Sequence, residues 1–398
     1  MPGITNKELE KDMKEFIFEI CEKIGPRPPC SVKEAEAAGL YYEYMKSCCD
    51  TVDIEKFYTH PAAFKAGFRV PMILYIVSLI FYWYLPWFSL IISIFSIIIL
   101  FGKMTLAKEV FDFIFPKKES QNVISKIKPT NQTKNLIIIG SHIDSNWEFS
   151  LIRKIKNKYT VIIGINVFLN VFLLILLIAK NILILLGLPQ LFFIIEVILF
   201  ITFVGLIPLP LMQLFFVISN RPVMGANDNL SGMAVCYELA KNLTLPENRP
   251  QNTEVWINAY GCEEIGSKGS KAFVKRYFPE IRNAKIINID GVGCKNVPIL
   301  IGKSEIQGMV KMNSEMIELI KKSADNLDIK NRISSFMFFT DSLSFCRNNL
   351  SASSICTWPS SKEAYFYHTR DDVIENMGFE NLINTYKICM EIIKDLDK

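Results

Sequence analysis

The chain has 398 residues; half are hydrophobic, 21% are charged, and 44 Lys+Arg against 40 Asp+Glu give a formal charge of +4. That near balance, with Gly 19 and Pro 18, excludes a nucleic-acid binder, an acidic disordered chain and a collagen-like or low-complexity protein. A mean hydropathy of +0.25 is high for a soluble enzyme. The ten cysteines are scattered with no CxxC pair, so most are expected to be small buried residues in a reducing compartment, not a disulfide framework or a zinc finger.

The N-terminal stretch is charged and amphipathic and lacks the apolar core of a signal peptide, so any membrane insertion is expected to use internal segments. Phe16, Ile20 and Ile24 share one face of a helix predicted from about Lys7 to Ile24, and Gly25-Pro-Arg-Pro-Pro29 ends it. Ser31 with Glu34 three residues on reads as a capping box opening a second helix. Thr51–Phe57 alternates like a strand.

The character then changes. Val70–Phe101 carries no charge and is broken at Leu85-Pro86-Trp87. Thr160–Ala179 is again charge-free. Beyond the Gly187-Leu188-Pro189 break, Leu191–Val217 is apolar apart from Glu196. These are membrane-length runs, and core helices of a large soluble protein are the other reading. Residues 220–398 return to short β-branched runs (Glu254–Ala259, Lys285–Ile289) alternating with amphipathic stretches (Gly232–Asn242, Lys311–Leu327, Phe379–Leu396). That alternation predicts an α/β fold, a mixed central sheet covered by helices, with inserted transmembrane hairpins. The expected segments are 1–69, 70–102 (hairpin), 103–158, 159–219 (hairpin) and 220–398.

Chemistry-bearing residues gather at predicted strand ends. His142 closes the apolar run Asn135–Gly140, with Asp144 two residues on. An i, i+2 His–Asp pair suits a metal-bound imidazole oriented by a carboxylate, although alone it reads equally as a satisfied structural histidine. Met224–Gly232 holds Asp228 before a helix, where a cap is the plain reading. Ile257–Gly266 runs into Glu263-Glu264, adjacent carboxylates whose repulsion calls for a cation or a proton. Ile286–Gly291 ends in Asp290, and Tyr367–Asp372 holds His368. Three strands ending in such groups converge on one sheet edge, and two imidazoles with several carboxylates suit zinc.

Taken in order, these motifs resemble the M28 family of zinc aminopeptidases. The family's HxD is similar to His142-Ile-Asp144, its acidic turn to Gly225–Gly232, its EE pair to Glu263-Glu264, its lone aspartate to Asp290 and its HTxxD to His368–Asp372; Gly25-Pro-Arg-Pro resembles its early G-x-R turn. The likeness spans about residues 15–66, 120–147 and 220–395. It implies a co-catalytic pair of zinc ions. Asp228 would bridge them, His142 and Asp290 would complete one site, and Glu264 and His368 the other. Glu263 would be the general base and Asp144 would hold the ring of His142. It implies an enzyme of the zinc-exopeptidase, phosphorylase/hydrolase-like fold acting on peptide or protein N-termini. A glutaminyl-cyclase-like acyl transferase on the same scaffold, or a non-catalytic membrane protein, are the alternatives.

Two departures stand out. From His142 to Asp228 is 228 − 142 = 86 residues, far more than the family keeps, and the surplus matches the apolar block. Ser342, in Thr340–Phe345, stands where many relatives carry His. Because all the ligands must share one side of a bilayer, each block must cross an even number of times. One helix over 70–101 would be about 48 Å long, against a hydrocarbon core of about 30 Å, so Pro86 is expected at a hairpin tip. Its arms would be only about 23 Å, which leaves four spans, or two plus a re-entrant hairpin. Lys65, Arg69, Lys103 and Lys108 flank the first block, and Arg153, Lys154, Lys156, Lys158 and Arg221 the second; the tips carry only Lys180. The positive-inside rule then puts the enzymatic part in the cytoplasm. Glu196 is read as structural rather than functional.

Overall fold

The computed structural model describes residues 5–105, 108–155, 158–306, 308–359 and 366–398; Lys156 lies outside them, and the side chain of Arg153 is likewise not described. The strands are β1 (Thr51–Thr59), β2 (Lys118–Ile127), β3 (Asn135–His142), β4 (Thr253–Tyr260), β5 (Lys285–Asp290), β6 (Ile299–Glu305), β7 (Val310–Lys311), β8 (Asn331–Ser335) and β9 (Ser351–Cys356). The helices are α1 (Asn6–Lys23), α2 (Val32–Lys46), α3 (Ala62–Phe81), α4 (Pro86–Ile99), α5 (Ser150–Ile155), α6 (Tyr159–Leu185), α7 (Phe193–Gly205), α8 (Pro208–Phe216), α9 (Ser231–Leu243), α10 (Lys268–Ile281), α11 (Ser314–Asn326), α12 (Ser342–Cys346) and α13 (Glu380–Leu396).

The chain divides into two units. One comprises Met1–Thr59, Lys118–Trp147 and Pro222–Lys398; the other His60–Lys117 and Glu148–Arg221. The first holds one sheet in the order β1-β2-β4-β3-β5-β9-β6-β7, with β8 paired to β6. Its centre is parallel: β4, β3, β5 and β9 run the same way. β1, β2, β6 and β7 pair antiparallel around it.

Side-chain period decides the layers. Ile137, Ile139, Val255, Ile257, Ile287 and Ile289 face a core shared with α1, α2, α9, α11 and α13. The intervening Ile138, Trp256, Tyr260 and Ile286 pack on the other face with Phe273 and Phe345 of α10 and α12. Strands buried on both faces are apolar without a break, which is why the Leu-Ile-Ile-Ile run ahead of His142 shows no alternation.

At the first helix pair one detail differs from expectation. Ser31 does accept the amide of Glu34 at 3.1 Å. The Glu34 carboxylate, however, does not turn back to the cap. It accepts the amides of Cys30 (2.8 Å) and Cys262 (2.9 Å) and the hydroxyl of Ser120 (2.9 Å). Buried polar groups must find donors, and two of these, Ser120 and Cys262, lie across the fold.

In the second unit, four helices among the described residues are long and apolar enough to cross a membrane: Ala62–Phe81, Pro86–Lys103, Tyr159–Leu185 and Phe193–Phe216. The first hairpin is longer than the charge-free run suggests. α3 begins at Ala62, taking Lys65 and Arg69 into its first turns, and its 20 residues rise about 30 Å. The arm expected at Leu191–Val217 is two helical pieces, because Pro208 opens α8 after the break at Leu206-Ile207. Large side chains such as Ile80, Phe168, Leu185, Ile194 and Ile201 are exposed on the outside, while the polar ones turn inward. Ser96 Oγ donates to Asn170 Oδ1 at 2.7 Å, Asn166 Nδ2 to Gln213 Oε1 at 2.9 Å, and Ser78 and Ser89 pair at 2.8 Å. Such bonds hold helices together where apolar burial offers no preference. Glu196 is ion-paired with Lys180, whose ammonium lies over the rings of Tyr82 and Trp83 at 4.5 and 4.0 Å.

Candidate metal centre

Three parallel strands bring the site together. β3 ends at His142, which pairs in register with Tyr260 of β4. The chain leaving β4 turns through Cys262 at φ 56 into Glu263-Glu264, and β5 ends at Asp290. Carboxyl ends of parallel strands share one edge, where α/β sites form.

The loop before α9 adds Asp228. Gly225 sits at φ +66, and a Cβ there would lie 2.6 Å from Ser145 Cβ, so only glycine fits this turn. Asn229 ties the loop to β5: Nδ2 donates to the carbonyl of Ile289 at 2.8 Å, and Oδ1 accepts the amides of Gly232 (3.0 Å) and Gly291 (3.2 Å). A Cβ on Gly232 would lie 2.6 Å from that same Oδ1. Asp372 accepts the amides of Asn227 at 2.7 Å and Asp228 at 3.1 Å, linking the His368 loop to the same turn.

At the centre, the two oxygens of Asp228 face different imidazoles. Oδ1 lies 3.1 Å from His142 Nε2 and Oδ2 lies 3.2 Å from His368 Nε2. Asp290 Oδ1 is 3.8 Å from His142 Nε2, and Glu264 Oε2 is 3.0 Å from His368 Nε2. All five expected ligand residues therefore meet. His142, Asp228 and Glu264 each offer a ligand atom within 4.8 Å of the others. Glu263 is 4% exposed beside them and accepts a 3.3 Å hydrogen bond from Ser267 Oγ.

Asp144 acts differently from expectation. The ring of His142 is held by the Asp144 carbonyl, which accepts from Nδ1 at 3.0 Å, whereas the Asp144 carboxylate is 3.6 Å from Nδ1. That carboxylate instead accepts the amides of Glu263 (2.9 Å) and Glu264 (3.1 Å). A carbonyl can only accept, so Nδ1 carries a proton, and Nε2 is the nitrogen left to face Asp228 and, once deprotonated, a metal.

Three contributors were given no role from the sequence. Asn146 donates to Glu264 Oε2 at 2.6 Å and lies 3.1 Å from His368 Nδ1; its position two residues past Asp144 was the available signal. Arg27, in the early Gly-Pro-Arg-Pro turn, is fully buried. It donates to the carbonyls of Gly25, Ile143, Met224 and Gly225 at 2.9–3.0 Å, clamping the exit of β3 to the Asp228 loop. The mouth is aromatic: Phe338 stacks on Trp358 at 5.1 Å, and Tyr367 stacks on His368 at 3.7 Å.

Charge is unbalanced toward the carboxylates. Burial would raise Asp228, but hydrogen bonds from His142 and His368 hold it below the usual range. Burial would lower both imidazoles; for His368 the Glu264 and Asp228 carboxylates outweigh it and push the ring up to about 10. The nearby Asp144, Asp228 and Asp290 carboxylates likewise outweigh burial and hold His142 well above its usual range. Burial raises Asp290 and pushes Glu264 to about 7, and burial with neighbouring carboxylates raises Glu263 well above the ordinary value. Glu264 Oε1 is buried with no hydrogen-bond partner among the described residues. An orphaned carboxylate oxygen in a cluster of N and O donors fits a divalent cation of the zinc type.

Fold and donor set together define a mixed-sheet α/β protein with a buried cluster of imidazole and carboxylate groups at its strand ends. More narrowly, the model of Peptidase family M28 matches residues 213–393. The chain is 30% identical over 165 residues to Aminopeptidase YwaD of Bacillus subtilis (strain 168), covering 40% of this chain and 34% of that protein. It spans between a third and a half of the length of the curated relatives it matches. In fold it is similar to a Zn-dependent exopeptidase from Parabacteroides distasonis (TM-score 0.59, 14% identity, covering 96% of this chain and 97% of that one). It is equally similar to a glutaminyl cyclase from Bacteroides thetaiotaomicron (TM-score 0.58, 13% identity, covering 96% and 97%).

Proposed function

We propose that this protein is a membrane-anchored di-zinc aminopeptidase that hydrolyses the N-terminal bond of peptides or proteins. The observation that carries the reading is Asp228, whose two carboxylate oxygens each face a different imidazole at 3.1 and 3.2 Å. A carboxylate shared in this way suits a pair of metal ions, which would be held by His142 and Asp290 on one side and by Glu264 and His368 on the other. Bound zinc would supply Lewis acidity to a water and to the scissile carbonyl.

The remaining work falls to the chain. Glu263 is buried and its carboxyl is raised, so it can take the attacking water's proton and pass it to the leaving amine. The Asp144 carboxylate fixes the main chain of Glu263 and Glu264, which sets the base relative to the ligands. Phe338, Trp358 and Tyr367 line the cleft beside Glu263 and Asp290 and would keep bulk solvent other than the attacking water away from it.

The two inserted hairpins would span the bilayer, leaving the catalytic unit on the cytoplasmic side by the charge of their flanks. Both departures and returns support even crossings. Thr59 pairs with Lys118 at the ends of β1 and β2, and Trp147 bridges Pro222.

The test is hydrolysis of an aminoacyl reporter panel by detergent-purified protein, with metal counting and with chelator. Two zinc ions per chain and chelator-sensitive hydrolysis are expected, with turnover reduced about 10²–10⁴-fold in Glu263→Gln at unchanged zinc content. A single ion with release of a cyclised N-terminal glutamine would favour the glutaminyl-cyclase-like reading. Zinc binding without hydrolysis of any reporter would favour the non-catalytic one.

A further inference from the structure

We propose that Cys30 and Cys262 are a thiol pair that a hydroperoxide converts into a disulfide beside the Glu263-Glu264 pair. The two sulfurs lie 3.4 Å apart although 232 positions separate them in sequence. Their main chains are fixed by one group. Glu34 Oε2 accepts the Cys30 amide at 2.8 Å and Oε1 accepts the Cys262 amide at 2.9 Å. The Glu34 carboxylate is itself fully buried and anchored by Ser120 Oγ at 2.9 Å. The approach of the sulfurs is therefore built into the backbone rather than left to two mobile side chains.

Their environments divide the work. Cys30 is part-exposed and Cys262 is buried, so Cys30 is the sulfur that a dissolved oxidant reaches. Its thiolate attacks the peroxide; the O–O bond breaks, the S–O bond of a sulfenic acid forms, and the alcohol or water leaves. The Cys262 sulfur then attacks the sulfenic sulfur. The S–S bond forms, the S–O bond breaks, and hydroxide departs with the Cys262 proton as a second water. Two thiols lose two electrons, and the peroxide gains them.

The consequence for turnover rests on the aminopeptidase reading. Sulfurs 3.4 Å apart must close by more than an ångström to reach about 2.05 Å, and the share of that movement taken by Cys262 falls immediately before Glu263. Misplacing a catalytic group on that scale costs about a hundredfold.

The experiment uses full-length, zinc-loaded protein in detergent, first reduced with a phosphine and then treated with hydrogen peroxide. After unfolding, alkylation and digestion, a Cys30–Cys262 cross-linked peptide is expected, two hydrogens lighter than its parts and lost on renewed reduction. Hydrolysis should fall about a hundredfold and return on reduction, while Cys30→Ser should form no such peptide and keep its hydrolysis through peroxide. Recovery of both cysteines alkylated, or cross-linked elsewhere, overturns the pair. A cross-link without loss of hydrolysis overturns its coupling to the site. Because the peptide is read by mass, it decides the pairing even if the reduced protein hydrolyses nothing, an outcome that would instead overturn the function proposed above.

Discussion

Thr59 and Lys118 are Cα partners at the ends of an antiparallel ladder, although the whole first hairpin of the second unit lies between them in sequence. Trp147 and Pro222 repeat the arrangement across the second insertion. Each insertion thus leaves the sheet-bearing unit and re-enters it at a neighbouring position. Replacing 60–117 and 148–221 by short turns should therefore leave a detergent-free protein that folds and binds zinc, checked by gel filtration and metal analysis. Aggregation of every such variant would show that the sheet-bearing unit needs its insertions.

Asp144→Asn should be costly although the residue is not a ligand. Its carboxylate accepts two successive amides, those of Glu263 and Glu264, and an asparagine oxygen with its amide group can satisfy only one of them well. A buried amide left unpaired costs about 1–3 kcal/mol. We expect kcat or zinc affinity to fall about 10–100-fold, measured by steady-state kinetics and metal titration. Wild-type values for both would remove Asp144 from the positioning of the base.

Zinc uptake should release protons. Burial with neighbouring charge pushes Glu264 to about 7, and the Glu264 and Asp228 carboxylates outweigh burial to push His368 to about 10. A metal ligand must be an ionised carboxylate or a neutral imidazole, so the cation displaces the proton of His368 and, below about pH 7, that of Glu264 as well. Apparent affinity should thus weaken as pH is lowered. Calorimetry in buffers of different ionisation enthalpy reads the proton count; affinity independent of pH, with no release, would contradict the charge balance described.

Orientation is open to a direct measurement. Cationic residues cluster where the hairpins begin and end, and Lys180, the one at the tips, is neutralised by Glu196. With the sheet-bearing unit in the cytoplasm, protease added outside intact cells should leave residues 220–398 uncut. Rapid external cleavage there would reverse the assignment.

Much of the site was legible because its residues end strands. The apolar runs before His142, Glu263 and Asp290 predict strands, and strand ends in a parallel sheet predict convergence. What stayed hidden was second-neighbour chemistry. Glu34 reads locally as a capping partner, yet its carboxylate reaches Cys30, Ser120 and Cys262. Asp144 reads as the partner of the His142 ring, yet its carbonyl does that and its carboxylate does something else. Arg27 reads as part of a helix stop, although the four hydrogen bonds of its guanidinium join its own turn to two remote segments. In each case the local pattern names a donor or acceptor, and only the folded chain supplies its counterpart. The hairpin arms were misjudged for a related reason: absence of charge marks where a helix is apolar, not where it starts, and α3 takes Lys65 and Arg69 into its first turns.

The sequence by itself determined residue chemistry and period: which stretches are apolar for membrane length, which alternate as strands, and which carboxylates and imidazoles stand at their ends. Tertiary structure alone decided which oxygen of Asp228 faces which ring, that one carboxylate holds the amides of both Cys30 and Cys262, and that each insertion returns beside its point of departure. Periodicity is a property of neighbours along the chain and can be read there. Hydrogen-bond pairing is set by distances and angles between groups far apart in sequence, and those exist only once the sheet has brought its strands into register.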